Sequence, residues 1–178
     1  MAQKYFKNFP LVQYGDHSVR NIILKAKLAR DLLDKFDNFY PYTIQEGQRI
    51  TDVAYDYYGA IDYVWLIMAA NEMVDPYYDW PLNDDIFNTV IEKKYGSVAN
   101  AMNIANAQYY RKPNMSYWMT KTTYENSAAA EREGWQAVDN YTYEMIKNED
   151  KRKIRLLDRS IALDVSLEIE KTFKKAGK

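Results

Sequence analysis

The sequence predicts an α+β protein, with a small strand–helix–helix module at its centre and mostly helical and extended segments on either side. Three observations predict it. Tyr42-Thr43-Ile44 has the aromatic and β-branched character of a strand. Ile50, Val53, Ala54 and Tyr57 recur at i, i+3, i+4 and i+7, the stripe of an amphipathic helix. Tyr63 to Ala70 is apolar on nearly every side, and a helix with no polar face must be covered all round. The rest of the chain, or a partner, therefore packs over this run, and Val53, Leu66 and Trp65, with Ile50 and Tyr57, are the expected structural core. The expected division is an N-terminal arm with a helix or strand over residues 1–40, the module over 41–82, and a mostly helical C-terminal extension with one or two short strands over 83–178.

Composition narrows the function classes. At 178 residues the length fits one domain with extensions, and 47% hydrophobic residues suffice for a core. The 17 Tyr and 4 Trp are an excess of side chains with an apolar ring and a polar tip, suited to core edges and protein interfaces. A net charge of -1 with interspersed signs lacks the clustered basic face that nucleic acid requires. Cysteine is absent, which leaves no disulfide framework and no thiolate metal site. No apolar signal-peptide core is visible at the N-terminus, and the longest apolar run is too short to span a bilayer, so a soluble product is expected.

Taken in order, residues 1–17 carry Pro10, Gly15 and scattered aromatics and predict an extended arm or edge strand. From Ser18 to Phe36 alternation favours a strand while helical spacing, with Ser18 as N-cap, favours a helix, at least from Ala29 onward. In the module Gly47 supplies a tight turn, Gly59 ends the first helix and Asp62 caps the second, which runs to about Asn71. Asn83 or Asp84 then caps a helix bearing Ile86, Phe87, Val90 and Ile91, closed by Gly96, and Ser97 caps a short helix with Val98, Ala101, Met102 and Ala105. Tyr117–Tyr124 is a candidate strand in an irregular stretch. Ala128–Asp150 reads as helix with a break at Gly134, Lys153–Leu157 as a short strand, and Asp158 or Ser160 caps a last helix carrying Ile161, Val165, Ile169 and Phe173.

Chemistry is sparse. His17 is the lone histidine and has neither Cys nor a second His to build a metal site with it. No nucleophile elbow or phosphate-binding glycine loop occurs. Asp52 and Asp56 share a helix face and Asp84-Asp85 are adjacent. Such pairs serve glycoside hydrolysis in some enzymes, but a solvated face and a helix N-terminus account for them here. No enzyme and no cofactor is expected. The segment Asp75 to Pro81 stands apart, with Tyr77, Tyr78 and Trp80 held between two prolines. Rings on a restricted backbone lose little entropy on binding and act as interface anchors. The alternatives are that Tyr77 and Trp80 cap the module's own core, or that the rings stack on sugars.

The run YTIQEGQRITDVAYDYYG resembles the opening of a LysM module, and Asn71 matches the end of that module's second helix. The longer run Tyr42 to Leu82 is similar to the base plate wedge protein 53 family of contractile-tailed bacteriophages. The likeness rests on Tyr57 to Gly59, Trp65 in its apolar helix and Asp75 to Trp80, and it extends through Ile91 to Asn103. This resemblance implies a structural component of the virion's tail baseplate, made in the host bacterial cytoplasm, that joins neighbouring wedge subunits without cofactors. Its implied partners are other wedge proteins and the sheath-initiator protein, not nucleic acid, membrane or a small-molecule substrate. Where a glycan-binding LysM module has its second strand, this chain has DPYYDWPLNDDIF. That departure turns the module towards protein contacts, with LysM-type peptidoglycan binding as the alternative.

Overall fold

The computed structural model describes residues 9–20 and 39–176, and beyond Glu168 only the side chain of Lys171. In chain order the elements are strands β1 (Leu11–Tyr14), β2 (His17–Arg20) and β3 (Phe39–Thr43), helix α1 (Ile50–Tyr58), and a 3-10 turn (Ile61–Tyr63) leading into α2 (Val64–Ala70). The one-turn helix α3 (Pro76–Asp79), α4 (Asp84–Tyr95) and α5 (Val98–Met102) follow. Then come β4 (Tyr109–Arg111), β5 (Met119–Thr120), α6 (Lys121–Asn126), α7 (Ala129–Arg132), β6 (Gln136–Val138), α8 (Asn140–Asp150), β7 (Lys153–Leu157) and α9 (Arg159–Ala176). The chain divides into two compact units: Met1–Trp80 with Arg152–Lys178, and Pro81–Lys151. The second is thus an insertion in the first, where the sequence reading drew one extension over 83–178.

In the first unit the expected N-terminal arm contains a hairpin. Tyr14 pairs with His17 across Gly15-Asp16, and Gly15 takes φ 58, the positive value a two-residue hairpin turn asks of its first central residue. Ser18 lies inside β2 and so does not cap a helix, because its backbone is spent on strand pairing with Gln13. The helix expected from Ala29 onward lies outside the described residues, as do the side chains of Ile169 and Phe173.

Strand β3 pairs antiparallel with β7, from Phe39 opposite Leu157 to Thr43 opposite Lys153. The outer edge of β7 is closed by Asn71, whose Oδ1 accepts the Arg155 N–H at 2.8 Å while its Nδ2 donates to the Arg155 carbonyl at 2.8 Å. Arg155 therefore turns its backbone away from β3 at the position opposite Pro41. At such a non-hydrogen-bonded position in the pairing a residue without an N–H costs nothing.

Helix α1 starts where the Asp52 carboxylate accepts the Arg49 N–H at 3.0 Å, and it ends at Gly59, whose φ of 79 a side-chain-bearing residue adopts only under strain. Asp62 does not cap α2. The chain enters through a 3-10 turn, and Tyr63, at the N-cap, gives no side-chain bond. No side chain of α2 is exposed, as its all-round apolar pattern demands. On one side Leu66 packs with Phe9, Tyr63, Leu157, Ala162 and Val165; on the other Ile67 meets Ile44, Val53, Ala54, Trp80, Ile154 and Leu156. Strand β7 feeds both clusters. Val53 and Leu66 are fully buried, whereas Ile50, Tyr57 and Trp65 are half-buried at the edges. Burial pushes the Tyr58 phenol well above its ordinary range, and its hydroxyl donates to the Leu157 carbonyl at 2.9 Å.

In the second unit Asn83 rather than Asp84 caps α4, accepting the Ile86 N–H at 2.9 Å, and Ser97 caps α5 through the Asn100 N–H at 3.0 Å. Phe87, Ile91 and Ala101 form its core, while Ile86, Val90 and Met102 from the predicted stripes remain exposed. Strands order as β5-β4-β6. This corrects two expectations. The strand expected over Tyr117–Tyr124 is only Met119–Thr120, because the Thr120 hydroxyl accepts the Thr123 N–H and starts α6. The helix expected over Ala128–Asp150 is broken by β6. Gly134 at φ 78 reverses the chain, Gln136–Val138 pairs with β4, and Asp139 recaps α8 through the Thr142 N–H at 2.8 Å. Buried Asn148 clasps both backbone groups of Leu82, accepting its N–H at 2.8 Å and donating to its carbonyl at 2.9 Å. The two ends of this unit are thereby stapled together. Much of the tyrosine excess is spent here on internal stacking, Tyr109 on Tyr143 and Tyr110 on Tyr124.

Candidate protein interface

The end of α2 launches the chain outwards. Glu72 adopts φ 57, and the Met73 N–H reaches back to the Met68 carbonyl at 2.9 Å while the Glu72 N–H reaches Ala69 at 3.3 Å. This is the Schellman arrangement, with Glu72 where glycine is usual. A left-handed residue other than glycine is mildly strained, about 1 kcal/mol, and fixes the direction in which Val74 and the following turn project.

That turn is closed by its own carboxylates. Asp75 accepts the Tyr77 N–H at 2.9 Å, and Pro76, at the first helical position, lacks the N–H that would otherwise go unpaired. Asp79 folds back to accept the N–H groups of Val74 at 2.8 Å and Asp75 at 2.9 Å. Both acids thus hold the backbone, and the rings between them ride on a pre-formed frame.

The three aromatics predicted as contacts part company. Trp80 turns inwards: it is 9% exposed, packs in the cluster with Ile44, Val53 and Ile67, and its indole N–H donates to the Gln48 carbonyl at 2.8 Å. Tyr77 and Tyr78 turn outwards, 83% and 76% exposed, beside Val74 at 89%. Trp80 is the root of the turn and the two tyrosines its face. Val74 was missed in the sequence because a lone valine after a helix end carries no periodic signal.

The other candidate groups are dispersed. Asp52 serves the α1 N-terminus, Asp84 and Asp85 lie in the first turn of α4, and His17 opens an exposed strand. Among the described residues no group of three or more His, Asp or Glu side chains is arranged to hold a metal ion, and no helix is long and apolar enough to cross a membrane. Further exposed apolar side chains lie on α1 and just after it, at Tyr55 and Ile61.

Two aromatic rings are thus held outwards on a turn that its own carboxylates cap. The family model described as base plate wedge protein 53 matches residues 5–174, nearly the whole chain. The chain belongs to that family, and is a structural protein of the phage tail baseplate that works among other baseplate proteins. A comparison with curated proteins gives no match.

Proposed function

We propose that the protein joins neighbouring wedge subunits during baseplate assembly, with Tyr77 and Tyr78 as its contact anchors and with other wedge proteins and the sheath initiator as its partners. The observation that carries this reading is the outward display of both rings on a turn fixed by Asp75, Pro76 and Asp79. Large rings that are already oriented give up little conformational freedom when a partner covers them. The test is co-expression of the chain with the wedge proteins of the same phage, followed by co-purification. Tyr77→Ala with Tyr78→Ala should abolish co-purification and leave the melting temperature unchanged. Full assembly by that variant would overturn the assignment of the two tyrosines.

A second reading, a LysM-type peptidoglycan-binding module, draws support from one feature. Strand β3, helices α1 and α2, and strand β7 stand in strand–helix–helix–strand order, the closing strand being supplied from beyond the insertion. Trp80 counts against it, since a buried ring whose N–H is already satisfied offers no open face to a sugar. Sedimentation with purified cell wall discriminates: pelleting with peptidoglycan, without retention of wedge proteins, would favour this second reading.

A further inference from the structure

The segment of chain that carries Tyr77 and Tyr78 has one sign of charge. From Ile50 to Trp80 the chain holds six carboxylates, Asp52, Asp56, Asp62, Glu72, Asp75 and Asp79, and neither lysine nor arginine; all 24 Lys and Arg lie elsewhere. Asp52, Asp75 and Asp79 accept backbone N–H bonds, which do not cancel their charge. Of the cations of the same unit near these elements, Arg49 at the N-cap of α1 and Arg159 beside Tyr57 flank the stretch, and two more are engaged. Arg152 pairs with Glu46, while Arg155 donates to the Ala70 carbonyl at 2.6 Å and sits over the Phe39 ring. Within this acidic stretch the exposed apolar groups are Tyr55 (63% exposed) and Ile61 (59%) together with Val74, Tyr77 and Tyr78. On α1, Asp52 lies one turn before both Tyr55 (i+3) and Asp56 (i+4), and all three are exposed.

Resting on the assembly reading above, we propose that the wedge partner covering this surface is basic and presents arginines to it. A guanidinium satisfies both halves of such a surface: it pairs with a carboxylate through its planar fork and lies flat on a tyrosine ring. A neutral or acidic partner would bury these negative charges without a counter-charge, which excludes wrong neighbours during assembly. The attraction acts before contact, so it governs the association rate and is screened by salt.

The experiment uses the full chain and the wedge proteins of the same phage, with association rates followed by surface binding at about 50 mM and about 500 mM NaCl, a change that shortens the screening length about threefold. The expected result is association about tenfold slower at the higher salt, the size seen when steering between opposite charges is removed. Asp56→Lys with Asp62→Lys should slow it comparably at low salt with the dissociation rate little changed. The isosteric pair Asp56→Asn with Asp62→Asn serves if the reversal disturbs folding, and should give an intermediate rate. Salt-insensitive association, unaffected by either pair, would overturn the basic partner and leave the assembly reading standing. No association of the unaltered chain at either salt would overturn both. Salt-sensitive dimerisation of the isolated chain, with nothing gained on adding wedge proteins, would overturn the proposal in favour of a second copy as occupant.

Discussion

Replacing Trp80 separates the root of the aromatic turn from its face. Trp80→Ala deletes a ring packed among Ile44, Val53 and Ile67, and it leaves the Gln48 carbonyl without its donor. Removing a large buried aromatic costs about 3–5 kcal/mol, and orphaning a buried acceptor adds about 1 kcal/mol. Trp80→Phe keeps most of the ring but not the N–H, so about 1–3 kcal/mol is expected. Tyr77→Ala with Tyr78→Ala removes two rings that touch mainly solvent, and surface changes of this kind stay within about 0.5 kcal/mol. Trp65→Ala, which the sequence alone would rank with a fully buried ring, should fall below Trp80→Ala because Trp65 is only half-buried. The assay is urea unfolding followed by far-UV circular dichroism, comparing midpoints at a common slope. With two compact units, hydrogen exchange over residues 39–80 and 152–157 reports the first unit directly. A midpoint for Trp80→Ala close to wild type, or a larger loss for the tyrosine pair, would refute the division into root and face.

Three more outcomes are expected. Asn148→Ala should weaken the clasp on Leu82 by about 2 kcal/mol, since it leaves one donor and one acceptor to find water, and should raise hydrogen exchange across residues 81–151 while leaving β3 and β7 unchanged. Gly59→Ala should destabilise by about 1 kcal/mol in thermal unfolding; an added methyl meets nothing within 4 Å, so the positive φ alone sets the cost. In alkaline titration, burial and the hydrogen bond to Glu144 raise the Tyr95 phenol to about 12 from 10.0, and Lys94, despite desolvation, is raised by the same carboxylate. Both groups hold their protons longer folded than unfolded, so their stabilisation is complete below pH 10; the share of Tyr95 is lost as pH rises from 10 through 12, and that of Lys94 persists to higher pH. Glu144→Gln should flatten that loss in the melting temperature between pH 9 and about 12.

Local order was legible in the residues. Gly47, Gly59 and Gly96 stand at the turns they were assigned, Ser97 caps its helix, and Lys153–Leu157 is a strand with the expected bounds. Each depends on neighbours within about four residues, the range over which capping and periodicity act. Where the reading failed, a second local signal lay under the first. The Thr120 and Asp139 caps were hidden in stretches whose composition favoured a longer strand or helix.

What the sequence by itself determined, then, was the apolar helix Val64–Ala70 and the need to cover it, the strand–helix–helix order around it, and the stiffness of Asp75–Pro81. What only the tertiary structure decided was which partners meet. Strand β3 finds β7 across the inserted unit, and that pairing brings Leu156 and Leu157 to the two sides of α2. The same packing draws Trp80 in and leaves Tyr77 and Tyr78 out, although the three lie within four residues on equally aromatic ground. Burial is a property of distant neighbours: one ring sits over a gap among Ile44, Val53 and Ile67 and the other two do not, and no local pattern encodes where that gap falls.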